Sequence, residues 1–268
     1  MQLYYKHYGN GFPFVILHGL YGSSDNWYSV ARYLSSYYSV FVPDIRNHGH
    51  SPHEPEISFE LMSDDIFQFF KEHHIEKAYL LGHSMGGKVA MLFACKHPEL
   101  VEKLIIVDIA PKSYTSLLEP DDHILLHLNI LQGLLSVDLN NKVSRNDIEN
   151  FLSDYILDPK TRKFLLKNLV RNPDGSYHWL INIQAIKNNL PELMAEIAIP
   201  ENAQISIPSL FIKGEKSNYL KTEDFEGIRR IFLCSSFVII PGAGHSLHVE
   251  QQQLFLHEVM RFLNLDLL

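Results

Sequence analysis

Ala78-Tyr79-Leu80-Leu81-Gly82-His83-Ser84-Met85-Gly86-Gly87-Lys88-Val89-Ala90-Met91 is the stretch whose reading decides the fold. Its first four residues form a short apolar run without polar alternation, the pattern of a strand buried on both faces. Gly82-His83-Ser84-Met85-Gly86 then fits G-x-S-x-G, and a helical pattern follows over residues 87–97, stopping before Pro98. A serine between such a strand and such a helix sits on a sharp, strained turn, so its neighbours must be small; Gly82 and Gly86 meet that need. The turn exposes the hydroxyl at the carboxyl end of a sheet. The helix start beside it offers free N–H groups and a positive dipole end to a developing oxyanion. Without those flanks, the five residues would read as a glycine turn that happens to contain serine.

Outward from this centre, strand and helix patterns alternate. Apolar runs at residues 14–17, 40–42 and 104–107 read as further strands of a parallel sheet. Residues 25–34 read as a helix. A second helix begins after Ser58 as N-cap and places Phe59, Met62, Ile66, Phe69 and Phe70 on one face. The alternation returns after residue 205, with strands at 207–212 and 237–240 and a closing helix over 249–263. Such repetition implies an α/β fold, a mostly parallel sheet with helices on both faces and right-handed crossovers. Between residues 111 and 200 no strand stands out, while Leu125, Leu128, Leu131, Leu134 and Leu135 recur at helical spacing. The expected organisation is therefore a core of residues 1–110 and 201–268. A helical lid, residues 111–200, is inserted after the strand ending at Asp108.

The composition narrows the function classes. With 46% hydrophobic and 20% charged residues the chain reads as an ordinary globular protein rather than a disordered one. Lys+Arg 23 against Asp+Glu 31 gives a net charge of -8, which argues against nucleic-acid or anionic-membrane partners. No apolar run approaches the roughly 18 residues of a membrane span, and the first residues lack a secretory pattern, so a cytoplasmic location is expected. Cys95 and Cys234 allow no disulfide framework and have no metal-ligand spacing.

Two other loops supply what a nucleophilic serine requires. His18-Gly19-Leu20-Tyr21-Gly22 follows the strand at 14–17. Acyl transfer needs two backbone N–H donors aimed at the tetrahedral oxygen. One comes from the residue after the nucleophile, Met85, and Leu20 fits the second place. Pro241-Gly242-Ala243-Gly244-His245-Ser246 follows the last strand and precedes the closing helix, which makes His245 the candidate general base among 15 histidines. His73, His74, His97 and His257 fall on helices. His48, His50 and His53 superficially resemble a metal cluster but lack an acidic or cysteine ligand at fixed spacing, so no metal is expected. Asp44 and Arg46 are expected to pair with each other, Lys88 to be solvated and Cys95 to pack in the core. In the inserted segment Tyr177, Trp179 and Leu128 are candidates for lining an acyl pocket, with helix packing as the alternative.

These motifs, together with Asp25-Asn26-Trp27, Asp44-Ile45-Arg46-Asn47-His48-Gly49-His50-Ser51-Pro52 and Val107-Asp108-Ile109-Ala110-Pro111, carry a resemblance over nearly the whole chain. The sequence resembles the serine esterases of the α/β-hydrolase superfamily, of the bacterial YbfF type and the α/β-hydrolase domain-containing protein 11 type. The resemblance implies a Ser–His–acid triad, no cofactor, and hydrolysis of carboxylic esters or acyl thioesters. In most of the superfamily the acid follows the penultimate strand as G-x-x-D; here that place reads Gly214-Glu215-Lys216-Ser217. Asp108, at the end of an apolar run, is the substitute, since burying it unpaired would be costly and His245 is a natural partner. Glu215 is the fallback acid.

The resulting expectation is a serine hydrolase acting through Ser84, His245 and Asp108 on small to medium acyl esters, or on acyl-coenzyme A thioesters. Alternatives on the same triad are a carbon–carbon bond hydrolase and a cofactor-free haloperoxidase. From a different class, a non-catalytic ligand receptor would keep the fold. Epoxide hydrolases and haloalkane dehalogenases are disfavoured, because they need aspartate where Ser84 stands. A small-molecule acyl substrate is the expected partner, without nucleic acid or membrane, and no oligomeric state is legible.

Overall fold

A computed structural model describes residues 1–115, 123–139, 144–200 and 202–264. Its main sheet is built from β1 (Tyr5–Tyr8), β2 (Pro13–Leu17), β3 (Ser39–Pro43), β4 (Ala78–His83), β5 (Val101–Val107), β8 (Ser209–Gly214) and β9 (Ser235–Ile240). The strand order is β1-β3-β2-β4-β5-β8-β9, with β1 antiparallel to β3 and every other pairing parallel. The apolar runs became strands for a visible reason. Phe14 and Ile16 pack into one buried cluster and Val15 and Leu17 into the other, so alternate side chains enter opposite cores and none can be polar.

Helices cover both faces. On one lie α1 (Tyr28–Leu34) and α11 (Gln252–Phe262), which contribute Val30, Leu34, Phe255 and Val259. On the other lie α2 (Phe59–Glu72), α3 (Met85–Lys96) and α9 (Asp224–Ile231). Ser58 caps α2 by accepting the Leu61 N–H, and Met62, Ile66, Phe69 and Phe70 are buried. The closing helix is broken, α10 (Leu247–Glu250) being followed by α11 rather than running through. At the other end, residues 24–27 wind as a short 3₁₀ turn ahead of α1.

Between β5 and β8 the chain forms α4 (His123–Ser136), α5 (Arg145–Leu152), α6 (Pro159–Leu165), α7 (Ile183–Asn188) and α8 (Leu190–Met194). The expectation of a strand-free segment is corrected here. β6 (Leu169–Arg171) and β7 (Tyr177–Trp179) pair antiparallel as a separate hairpin around the turn at Asn172–Gly175. Strands this short carry no periodicity that a sequence reading could detect, and only the turn residues announce them. Among the described residues no helix is long and apolar enough to cross a membrane.

Candidate active site

Ser84 sits between β4 and α3 with φ 53° and ψ -121°, a left-handed backbone that non-glycine residues rarely adopt. Its flanking glycines are required by space. A Cβ on Gly82 would lie 2.2 Å from the Gly86 carbonyl oxygen, and one on Gly86 would lie 2.5 Å from the carbonyl oxygens of Leu17 and His18. The strain therefore buys a serine hydroxyl held clear of the sheet edge.

Three strand ends deliver the groups around it. Ser84 Oγ lies 3.0 Å from His245 Nε2, and His245 Nδ1 lies 2.7 Å from Asp108 Oδ2. Asp108 follows β5 with φ 52° and is fully buried. Its carboxylate also accepts the Gly214 N–H at 3.0 Å and the Ser217 hydroxyl. The serine standing where the superfamily has its aspartate is thus bonded to the aspartate supplied from the neighbouring strand. Glu215 accepts the Gly242 N–H at 2.7 Å and braces the backbone of the histidine loop, while the imidazole bonds to Asp108 and Ser84 instead.

Other side chains fix His245. His83 Nε2 lies 2.9 Å from the His245 carbonyl oxygen, so that nitrogen is the donor. Burial, followed by the proximity of His245 and His248, pushes His83 well below its usual range, leaving it a neutral brace. The Tyr219 ring stacks on the His245 ring at 4.0 Å and 25°, and burial raises its phenol. In the loop after β2 His18 Nδ1 donates to Gly19 O at 2.9 Å, while Nε2 accepts the Ile45 N–H at 2.9 Å. Both roles are set by the partners, and burial lowers this histidine to about 4. Among the described residues neither the Leu20 nor the Met85 N–H has a protein acceptor, and both residues line the cavity that contains Ser84.

That cavity has a volume of about 20 Å³. Leu20, Met85, Ile109, Leu193 and Met194 form its apolar wall, and Lys88, Tyr114, His127 and Tyr219 add polar groups. A larger open recess of about 380 Å³, between the start of α2 and α8, shares no residue with it.

Comparisons with known proteins bear on the fold and the family. The profile of the alpha/beta hydrolase fold family matches residues 13–252. The chain belongs to the α/β-hydrolase family. It is 37% identical to the sn-1-specific diacylglycerol lipase ABHD11 of Danio rerio over 262 residues, 95% of this chain and 79% of that protein. It is 30% identical to the esterase YbfF of Escherichia coli (strain K12), covering 95% of this chain and 94% of the relative. Among solved structures, a marine microorganism esterase superposes with a TM-score of 0.92 at 42% identity, covering 97% of this chain and 99% of that one. The α/β-hydrolase described here is accordingly a carboxylic ester hydrolase.

Several sequence expectations of this hydrolase need correction. Tyr177, Trp179 and Leu128 do not line the cavity beside Ser84. Tyr177 and Trp179 pack as part of β7 against the main core, and Leu128 is 44% exposed because α4 turns His127, Ile130, Leu131 and Leu134 inward instead. Lys88 is buried, since α3 is enclosed on every side from Met85 to Ala94 and position 88 has no solvent face. Arg46 pairs with Asp65 at 2.5 and 2.9 Å rather than with Asp44, which accepts the Ser24 and His50 N–H groups. His48, His50 and His53 take separate partners or neighbours. His83 could have been anticipated, since the residue before an elbow serine must lie beside it. Tyr219 and His127 gave no sequence signal.

Proposed function

We propose that this hydrolase cleaves carboxylic esters of small to medium acyl groups through an acyl-enzyme on Ser84. The observation that carries the reading is the continuous chain Ser84 Oγ–His245 Nε2 at 3.0 Å and His245 Nδ1–Asp108 at 2.7 Å. Ser84 Oγ attacks the acyl carbon as its proton passes to His245 Nε2. Asp108 accepts the Nδ1 proton, holding the tautomer that leaves Nε2 free and stabilising the imidazolium that forms. The Leu20 and Met85 N–H groups bond the tetrahedral oxygen. Collapse expels the alcohol, which takes the proton from Nε2. Water then attacks the acyl-enzyme, its proton passing to His245 and on to Ser84 Oγ as the acid leaves.

Several features support the finer points. Leu20 and Met85 line the cavity and their N–H groups have no protein acceptor among the described residues, which suits an oxyanion hole. The small apolar cavity favours short acyl groups, and the insertion of residues 111–200 supplies Tyr114, His127, Leu193 and Met194 as its cover. Thioesters would pass through the same acyl-enzyme, so acyl-coenzyme A substrates belong in the same screen as oxygen esters. The test is turnover of p-nitrophenyl esters by the wild type and by Ser84→Ala. Ser84→Ala should lose several orders of magnitude, leaving about 10³ over water, while remaining folded. Retention of most activity in the folded variant would refute the assignment.

A further inference from the structure

Lys88 lines the cavity beside Ser84 and has no role in the chemistry above. It stands one helical turn beyond the serine, its backbone N–H donating to the Ser84 carbonyl at 3.1 Å. The residue is 1% exposed. Its ammonium donates to the Ala195 carbonyl and lies 5.2 Å from the centroid of the Phe59 ring and 4.8 Å from that of Tyr114. A lysine amino group buried against a carbonyl and two ring faces, where burial lowers it to about 7, is a costly way to fill core space, and methionine would pack α3 without that desolvation.

What the contact holds is the cavity wall. Ala195 is the residue immediately after α8, whose Leu193 and Met194 line the same cavity as Ser84. The base of that wall is also tied by the Tyr114 N–H to the Met194 carbonyl at 2.7 Å and by the Ile197 N–H to the Pro111 carbonyl at 3.3 Å. Both of those ties run within the insertion and its near end. Lys88 supplies the link to α3, the helix that begins at the nucleophile. A cavity of about 20 Å³ holds roughly one water, so acyl chains beyond the shortest need room from its lining, of which Leu193 and Met194 form one wall.

We propose that Lys88 is a specificity-determining residue: by clamping Ala195 it fixes the Leu193–Met194 wall over Ser84 and so limits acyl chain length. This inference rests on the reading of Ser84 as nucleophile. The ammonium touches neither the ester nor the triad, so its loss acts on the room for the acyl chain and is read mainly in KM.

The experiment compares p-nitrophenyl acetate, hexanoate and decanoate on wild type, Lys88→Met, Lys88→Arg and Leu193→Ala, with circular dichroism and Tm for each. Lys88→Met should raise the hexanoate-to-acetate ratio of kcat/KM by about tenfold, chiefly through a lower hexanoate KM. Leu193→Ala, which lowers the wall directly, should move the ratio the same way. Lys88→Arg, keeping a cationic donor, should stay nearer the wild type. A Lys88→Met protein with lower Tm and an unchanged ratio would overturn the clamp, since the lysine would then serve stability alone. If Lys88→Met does not fold, an unchanged ratio in Leu193→Ala overturns it, because the wall would not bound the acyl chain. Selective loss of acyl groups ending in a carboxylate, with the neutral profile unchanged, would make the ammonium an anion site and also overturn it. Failure of the wild type to turn over acetate, or of Ser84 to react with a fluorophosphonate, would remove the reading of Ser84 itself and the clamp with it.

Discussion

Asp108 shares its two carboxylate oxygens among the Gly214 N–H, the Ser217 hydroxyl and His245 Nδ1. A buried carboxylate so supplied with donors is held in a fixed orientation, which is what an imidazole partner requires. Asp108→Asn would preserve the shape while presenting an amide, favouring the wrong imidazole tautomer. By the serine-protease precedent kcat should fall by roughly 10⁴, whereas Glu215→Gln should cost little. Steady-state kinetics on the two folded variants decide between them, and the opposite ranking would transfer the role to Glu215. Ser217→Ala removes one donor to a charged acceptor, so kcat should fall by about tenfold; an unchanged rate would make that hydroxyl dispensable. Ser84, His245 and Asp108 were legible because each stands in a loop directly after a strand, where spacing and chemistry coincide. The Ser217–Asp108 bond was not, because side-chain direction in such loops is decided by packing between strand ends. Arg46 choosing Asp65 over Asp44 has the same cause: the competing carboxylate lies on α2, remote in sequence.

At the scale of elements, the elbow tolerates little. Gly86→Ala would place a Cβ 2.5 Å from two backbone oxygens of the β2 end. Backbone cannot yield there without moving the loop after β2, so the variant should lose activity and several degrees of Tm, or fail to fold; a fully active, equally stable protein would contradict the geometry. In the inserted segment the hairpin and the wall should behave differently. Met194→Ala, at the cavity, should shift the ranking of ester lengths, while Trp179→Phe, on β7 away from it, should leave the ranking as it was. Chain-length profiles of both variants test this, and a shift confined to Trp179→Phe would reverse the assignment. Strands enclosed on both faces were readable as Val, Ile and Leu runs. β1, Tyr5–Tyr8, was not, since at the sheet edge its side chains are only partly buried and need no apolar run. The hairpin strands span three residues each and rest on their turn.

Over the whole molecule, the abundance of histidine has a consequence for acid stability. Burial is the main cause that lowers His18 to about 4 and His48, His127 and His248 to about 3. Their unfolded forms take up a proton near 6.5. Above that pH both states are neutral and these groups contribute nothing to the pH dependence. As pH falls below about 6.5 the unfolded chain binds protons that the folded chain refuses, so stability declines by up to about 1.4 kcal/mol per pH unit for each histidine until its folded value is reached. Tm should therefore fall steadily from pH 6.5 to 5; a level Tm across that range would contradict the burial of these rings as neutral groups. The composition announced many histidines but not which were enclosed, since burial depends on how the loops at the sheet edge close over one another. The most direct measurement of the account is intact-mass and peptide mapping after reaction with a fluorophosphonate. One adduct per chain, located on Ser84, absent in Ser84→Ala and formed far more slowly in His245→Gln, is the predicted result. Labelling elsewhere, or none in a folded chain that hydrolyses esters, would contradict it.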